Sequence, residues 1–117
     1  MLVNKQAQPV KLSAEYQTAE PLWLRAPTRT DSGELAADFM MLVRNLNKLA
    51  SQQQQTVLNK LHTVLDLYNK QVLLADLNLK INLLWVSHVP RPGLGFEIAA
   101  QLHYAVPEAK LISQQYI

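Results

Sequence analysis

The segment 79–104 constrains the fold most strongly, because apolar residues recur at every second position in two arms that flank a turn. Alternation of this kind is typical of strands that are buried on one face. Pro90, Pro92 and Gly93 lie between the arms and favour a turn, since proline cannot continue a paired ladder and glycine tolerates a positive φ. The sequence therefore predicts an antiparallel hairpin over 79–104. Its inner face would carry Leu79, Ile81, Leu83 and Trp85 from the first arm and Phe96, Ile98, Ala100, Leu102 and Tyr104 from the second.

The outer face of this predicted hairpin carries polar residues. His88, Glu97 and His103 would project from the face opposite Trp85, with His88 diagonal to Glu97. An imidazole beside a carboxylate can act as an acid/base pair. A polar face that meets solvent or another subunit is the simpler interpretation. The three residues are therefore a candidate polar site, and catalysis by them is a lower-ranked hypothesis.

Two further strands are predicted near the N-terminus, within residues 10–25. Alternating apolar residues from Val10 to Tyr16 predict the first of them. The short run Leu22–Arg25 could return as the second before Pro27 ends it. Residues 1–8 carry no such pattern, and we expect them to be flexible.

The middle of the chain, residues 32–75, is predicted to be helical. Asp31 and Glu34 have the spacing of a capping box. Two apolar stripes with gaps of three and four follow, and they differ in phase by roughly 200° around a helix. The phase break favours two helices, about 32–52 and about 56–75, folded back at the glutamines 52–55; a single long helix is the alternative. The stripes are Leu35, Phe39, Leu42, Leu46 and Leu49, then Leu58, Leu61, Leu65, Tyr68, Val72 and Ala75.

The end of the second predicted helix is open, and one more short helix is predicted at the C-terminus. Leu77, Ile81 and Leu84 also fit helical spacing, so the second helix could continue into the first hairpin arm. Pro107 suits the first turn of a helix and predicts a short C-terminal helix over 107–112. The predicted fold class is α+β, with antiparallel hairpins packed on a long helix or helical hairpin. The 117 residues are one domain's worth of chain.

Composition excludes several classes of function. With 49% hydrophobic and 17% charged residues, the chain is too apolar for a disordered tail. A net charge of +2 from scattered bases makes nucleic acid an improbable partner. The absence of cysteine excludes disulfides and thiolate zinc sites, and the three histidines lack metal-ligand spacing, so neither metal nor cofactor is predicted. No apolar run is long enough for a bilayer and the first residues lack the order of a signal peptide, so we expect a cytoplasmic protein without a membrane partner.

Three arginines in predicted loops form a second candidate site. Arg25 and Arg29 bracket a turn at Pro27, and Arg91 lies in the hairpin loop. Guanidinium groups suit phosphate and carboxylate ligands. The R-x-x-x-R at 25–29 is similar to the opening of PilZ domains, which bind cyclic di-GMP, and 83–85 followed by 93–96 resembles their late strand pair. The resemblance implies an anionic nucleotide on these arginines, but it covers only these fragments. Asp31-Ser32-Gly33 does not match the D/N-x-S-x-x-G that follows in PilZ domains, so no family is assigned.

The apolar surface of the predicted fold exceeds what a small two-layer domain can cover. Beyond the helical stripes and the inner strand faces, Leu84, Val86 and Ala99 fall on the outer face of the hairpin. The leading hypothesis is therefore a non-catalytic protein–protein interaction or assembly module that self-associates or docks in a larger complex. The alternative is a regulatory domain that binds an anionic small molecule such as a cyclic nucleotide through Arg25, Arg29 and Arg91. A small enzyme that uses the hairpin's polar face ranks third.

Overall fold

The structure is a computed structural model that describes residues 12–15, 30 and 33–115. These residues form an α+β fold, which confirms the predicted class. The elements, in chain order, are β1 (Leu12–Glu15), β2 (Ala37–Val43), a 3-10 turn (Leu46–Lys48), α1 (Ser51–Leu67), β3 (Val72–Asn78), β4 (Leu83–His88), α2 (Leu94–Ala105) and β5 (Ala109–Gln115).

The five strands form one sheet in the order β1-β3-β4-β2-β5. β1 is parallel to β3, and the other neighbours are antiparallel. From β2 onward the chain runs β-α-β-β-α-β, and each helix joins two parallel strands that have one other strand between them. This is the ferredoxin-like arrangement of two split βαβ units. It places α1 and α2 side by side over the sheet.

The hydrophobic core lies between the helices and the sheet. β2 buries every second residue from Ala37 to Val43, as a strand with one face on a core must. Leu61 and Leu65 of α1 and Ile98 and Leu102 of α2 are fully buried against it. Each helix therefore has one face fixed by packing, and its opposite face is turned outward.

The predicted helix over 32–52 is wrong, because residues 37–43 form β2 and the next regular element is a 3-10 turn. The run from Ala36 to Val43 is almost continuously apolar, so it fits both the helical and the strand period. Pairing decides the outcome, since β2 is hydrogen-bonded to β4 on one side and to β5 on the other. Asp31 of the predicted capping box lies outside the described residues.

The second predicted helix, about 56–75, is partly right. α1 begins at Ser51, so the glutamines form its first turns instead of a connection, in agreement with their helix propensity. α1 ends at Leu67, and Val72 already belongs to β3. The phase break in the sequence therefore marks the change from a strand to a helix, and no fold-back of two helices exists there.

The predicted hairpin over 79–104 is wrong in its second arm. An antiparallel hairpin does form, but its strands are β3 and β4, and its turn is 79–82. The first arm is a strand from Leu83 onward, which ends the alternative that a helix absorbs it. Its facing is the reverse of the prediction, because Leu84 and Val86 lie in the core and Ile81 is exposed in the turn. Residues 94–105 are α2, which starts after Gly93 with φ 78°. Helical packing explains this: Leu94, Ile98 and Leu102 recur every fourth residue and are fully buried.

Two terminal predictions have different outcomes. β1 confirms a strand within residues 10–17, while the second N-terminal strand, at 22–25, and residues 1–8 lie outside the described residues. The predicted C-terminal helix over 107–112 is wrong, because Ala109–Gln115 is strand β5, paired with β2. Sheet hydrogen bonds to β2 outweigh the weak helix signal of a single proline.

The turn between β3 and β4 depends on Asn82, which has a left-handed φ of 57°. Its side chain accepts a hydrogen bond from the Asn47 backbone at 2.9 Å and donates one to the Asn47 side chain at 3.2 Å. We expect Asn82→Ala to lower the free energy of unfolding by about 2 kcal/mol, from backbone strain and lost hydrogen bonds. Asn82→Gly relieves the strain and should lose only about 1 kcal/mol, as measured by urea unfolding. Equal losses in the two variants would contradict a left-handed residue 82.

Candidate functional site

The residues of the predicted arginine site are only partly described. Arg25 and Arg29 lie outside the described residues. Arg91 lies in the loop before α2, half exposed, with its Nη2 3.6 Å from Oε1 of Glu97. The Tyr68 hydroxyl also donates a hydrogen bond to Glu97, and partial burial together with this carboxylate raises the pKa of Tyr68. Glu97 is therefore held at the start of α2 by two neighbours.

His88 does not lie on an exposed face with the other predicted polar residues. It ends β4, is 2% exposed, and its ring packs against Phe39 with 5.8 Å between ring centroids. Nδ1 lies 2.8 Å from the Val89 carbonyl, which can only accept, so Nδ1 carries the proton. Nε2 is buried and has no hydrogen-bond partner among the described residues. Burial lowers the pKa of His88, which favours the neutral ring.

Asp38 is the charged neighbour of His88 that sequence reasoning missed. It lies on β2, next to Ala37, which is paired with His88. Burial raises the pKa of Asp38, while a hydrogen bond from the Trp85 side chain and the nearby His88 oppose this rise. The signal in the sequence is a lone carboxylate within an apolar strand. Since burial drives both groups toward their neutral forms, the pair is a structural feature that responds to pH.

Protonation of His88 should make stability depend on pH. The pKa of His88 is lowered from 6.5, so below about pH 6.5 the unfolded chain binds more protons than the folded one, and the free energy of unfolding falls. The raised pKa of Asp38 acts in the opposite direction, and it adds stability only at lower pH, as the pH falls toward 3.8. We expect His88→Phe to flatten the stability profile between about pH 7 and 5, measured by urea unfolding at each pH. An unchanged slope in this variant would contradict a buried neutral His88.

Buried polar residues also lie on the sheet face that is turned away from the helices. Asp76 on β3 is fully buried and lies opposite Trp85 of β4 in the strand register. Ser87, two residues further along β4, is buried as well. β4 is consequently buried on both faces, which explains why residues 83–86 are continuously apolar.

A cavity of about 200 Å³ lies at the opposite end of β2 from His88. Its walls include Val43, Leu46, Leu49, Val57 and Val106, together with Arg44 and Glu108. It is smaller than the roughly 300–1,000 Å³ that is usual for ligand pockets, and its two charged residues have opposite signs. Such a lining favours no class of ligand, and it contains none of the residues of the predicted sites.

Two other observations concern metals and membranes. Within residues 12–15 and 33–115, no three histidine, aspartate or glutamate side chains are grouped so that they could bind a metal ion. Neither helix in the described part of the chain has the length and apolar character needed to cross a bilayer.

The outward faces of the two helices differ in chemistry. The exposed residues of α1 are polar until its last residue, Leu67: Ser51, Gln52, Gln53, Gln55, Thr56, Asn59, Lys60 and Thr63. On α2, by contrast, Phe96, Ala100 and Tyr104 are exposed at successive intervals of four residues, Phe96 by 61% and Tyr104 by 86%. We call these three residues the outer stripe. Residues four apart lie on one helix face, so the stripe is continuous.

Two of the predicted polar residues flank the outer stripe. Glu97 lies beside its N-terminal end and His103 beside its C-terminal end, both exposed on α2. Nδ1 of His103 donates to the Ala109 carbonyl at 2.8 Å, which fixes the ring against the start of β5. Sequence reasoning missed the stripe because the strand pattern placed Phe96 and Tyr104 inside. The sequence did contain a signal for the stripe. Phe96, Ala100 and Tyr104 are four residues apart, and Leu94, Ile98 and Leu102 have the same spacing, as expected for two apolar faces of one helix.

Comparisons with models of protein families, with curated proteins and with solved structures found no match to this chain.

Proposed function

We propose that this chain is a small non-catalytic protein–protein interaction module that binds another protein chain through the outer stripe of α2. The observation that carries the proposal is the exposure of Phe96 and Tyr104 on the face of α2 that is turned away from the core. The excess apolar surface expected from the sequence does not support it, because Leu84, Val86 and Ala99 lie in the core.

The aromatic residues of the outer stripe are of the kind that dominates protein interfaces. Isolated exposed apolar residues are ordinary on protein surfaces. The outer stripe differs because it runs about 12 Å along a single helix, from Phe96 to Tyr104. Phenylalanine and tyrosine are enriched in interface cores, and a helix with apolar residues on both faces is usually covered on both. α1 shows that the same layer of this domain can present a polar outer face.

The two other hypotheses have less support from the described residues. Arg91 is the described member of the arginine site, and its charge is already opposed by Glu97 at 3.6 Å. For an enzyme, the polar groups must face a common substrate, but His88 is buried at the end of β4 while Glu97 and His103 lie on the outside of α2. A cysteine-free chain suits the reducing cytoplasm, which we propose as its location.

Photo-crosslinking in cells tests the proposed function. A benzophenone side chain replaces Phe96 in one variant and Gln53, an exposed residue of α1, in the control variant. We expect irradiation to join position 96, but not position 53, to a protein, because only the outer stripe is buried in a complex. The mass of the adduct identifies the partner. Absence of a protein adduct at position 96, or equal adducts at both positions, would remove the support for the proposal.

A further inference from the structure

We propose that the partner of the outer stripe is the same stripe of a second copy of this chain, with the two α2 helices antiparallel about a two-fold axis at Ala100. This inference rests on the proposed function, because it names the partner of the surface described above. Its basis is the symmetry of the sequence around Ala100. Phe96 and Tyr104 lie four residues to either side of it, and Glu97 and His103 lie three residues to either side.

A two-fold axis at Ala100 brings complementary groups to the same level. The two helices of the pair run in opposite directions. A residue that lies a given number of positions before Ala100 in one copy is therefore level with the residue that lies the same number of positions after Ala100 in the other copy. Phe96 and Glu97 of one copy are then level with Tyr104 and His103 of the second copy. Since the contact surface is shared by both copies, the same contacts form twice, as in any two-fold interface.

The sides of the outer stripe are complementary as well. At about 100° per residue, Tyr104 and Glu97 lie on one side of Ala100, and Phe96 and His103 lie on the other. The two-fold axis is perpendicular to both helices, so each side of the stripe contacts the same side of the stripe on the second copy. The Tyr104 hydroxyl can therefore donate to the Glu97 carboxylate of the second copy, and the His103 ring meets the Phe96 ring of the second copy. No like charges meet, and Glu97 and His103 are already fixed by Arg91 and by the Ala109 carbonyl.

Ala100 suits the centre of such a pair. Ile98 and Leu102 point into the core, so Ala100 is directed away from it. A methyl group at the crossing point lets two helix axes approach to about 8 Å, the close end of the usual range. Phe96 is 61% and Tyr104 86% exposed, so each of the four aromatic rings, two from each copy, can bury less than the roughly 150–250 Å² of a whole aromatic side chain. The total stays below about 1,200 Å², which is typical of a weak and reversible interface.

The outer edge of β5 is the competing surface for self-association. Ile112 is exposed there, but the register between β2 and β5 shifts at this residue, which marks a β-bulge. A bulge bends an edge strand and interrupts its row of hydrogen-bonding groups, and proteins use it to prevent edge-to-edge pairing. The outer stripe of α2 has no such interruption.

Disulfide trapping tests the two-fold pair, and the absence of cysteine from the chain makes the test clean. In Ala100→Cys, the two new thiols face each other across the axis with Cα atoms about 4–6 Å apart, within the reach of a disulfide. Mild oxidation should therefore convert the purified full chain into a covalent dimer. The controls Gln53→Cys on α1 and Ile112→Cys on β5 are also exposed and should form no covalent dimer. Failure of Ala100→Cys to form the dimer, or faster dimer formation by Ile112→Cys, would overturn the inference.

Sedimentation equilibrium gives a second, non-covalent readout. The unmodified chain should be a reversible dimer in the micromolar range, and the double variant Phe96→Ser, Tyr104→Ser should shift the dissociation constant at least tenfold toward monomer. Gln53→Ser should leave it unchanged. A monomer at every concentration overturns the self-pairing. If the crosslinker at position 96 then captures a different protein, the proposed function survives without the two-fold pair; if it captures nothing, both fail.

Discussion

Phe39→Ala should lower the free energy of unfolding by about 3–5 kcal/mol, the usual cost of removing a large aromatic side chain from a core. Phe39 lies on the interior strand β2, is 0% exposed, and also packs against the His88 ring. Its removal leaves a cavity that the surrounding strands can close only in part. Urea unfolding followed by circular dichroism measures the loss, and a domain of this size has little stability to spare, so partial unfolding at 25 °C is an expected outcome.

The matched variant is Phe96→Ala, which removes the same side chain from α2. Because Phe96 is 61% exposed, we expect a change within about 0.5 kcal/mol. The pair of variants distinguishes the two interpretations of residues 94–105. If these residues formed a strand with Phe96 facing inward, both substitutions would be costly. Similar losses for Phe39→Ala and Phe96→Ala would therefore contradict the helix.

Ala100→Glu should abolish self-association while it preserves the fold. Ala100 is exposed on α2, and glutamate is a good helix former, so the free energy of unfolding of the monomer should change little. In the two-fold pair, however, the two new carboxylates face each other across the axis and lose their hydration. We expect the dissociation constant to rise at least about 100-fold, equivalent to about 2.7 kcal/mol. Sedimentation equilibrium at several concentrations measures it.

The control for this prediction is Gln53→Glu, which adds the same charge to the outer face of α1. Gln53 is exposed in the first turn of that helix, where a negative charge is favourable. Its dissociation constant should match that of the unmodified chain. Equal weakening by both substitutions would show that net charge, and not the position of Ala100, controls association.

The sequence predicted the α+β class correctly, because strand and helix patterns both occur in it. Where a pattern was unambiguous, the element was also right: the alternation near Leu12 gave β1, and the stripe from Leu58 to Leu65 gave the body of α1. The errors fall on segments that satisfy two periods at once. In α2, Ile98, Ala100 and Leu102 alternate as in a strand, while Leu94, Ile98 and Leu102 recur as in a helix.

Burial on both faces removed the signal that would have separated these alternatives. β4 is buried against the helices through Leu84 and Val86 and on its other face through Trp85 and Ser87, so polar residues do not mark an outer side. β2 is hydrogen-bonded to a neighbouring strand on each side, to β4 and to β5. β2 and β4 are strands because they pair with strands that lie far away in the chain. The local sequence pattern of β2 or β4 does not show which distant segment pairs with it.

Of the candidate site, only the polar residues beside the outer stripe could be predicted from the sequence. Glu97 and His103 were identified as polar residues on one face, and they do share the outside of α2. His88 was grouped with them because strand alternation places positions 88, 97 and 103 on one side; in the helix, 97 and 103 stay exposed and 88 is buried at the end of β4. The outer stripe was invisible for the same reason, since strand alternation places Phe96, Ala100 and Tyr104 in the interior.

The most direct test of the outer stripe as a contact surface is an isotope-filtered nuclear Overhauser experiment on a mixture of labelled and unlabelled chains. Phe96 lies about 10–12 Å along the helix from His103 and Tyr104 of its own copy, so contacts between these rings can arise only between copies. We predict intermolecular signals from the Phe96 ring to His103 and Tyr104. Intermolecular signals confined to β5, or none at concentrations well above the dissociation constant measured by sedimentation, would contradict the account.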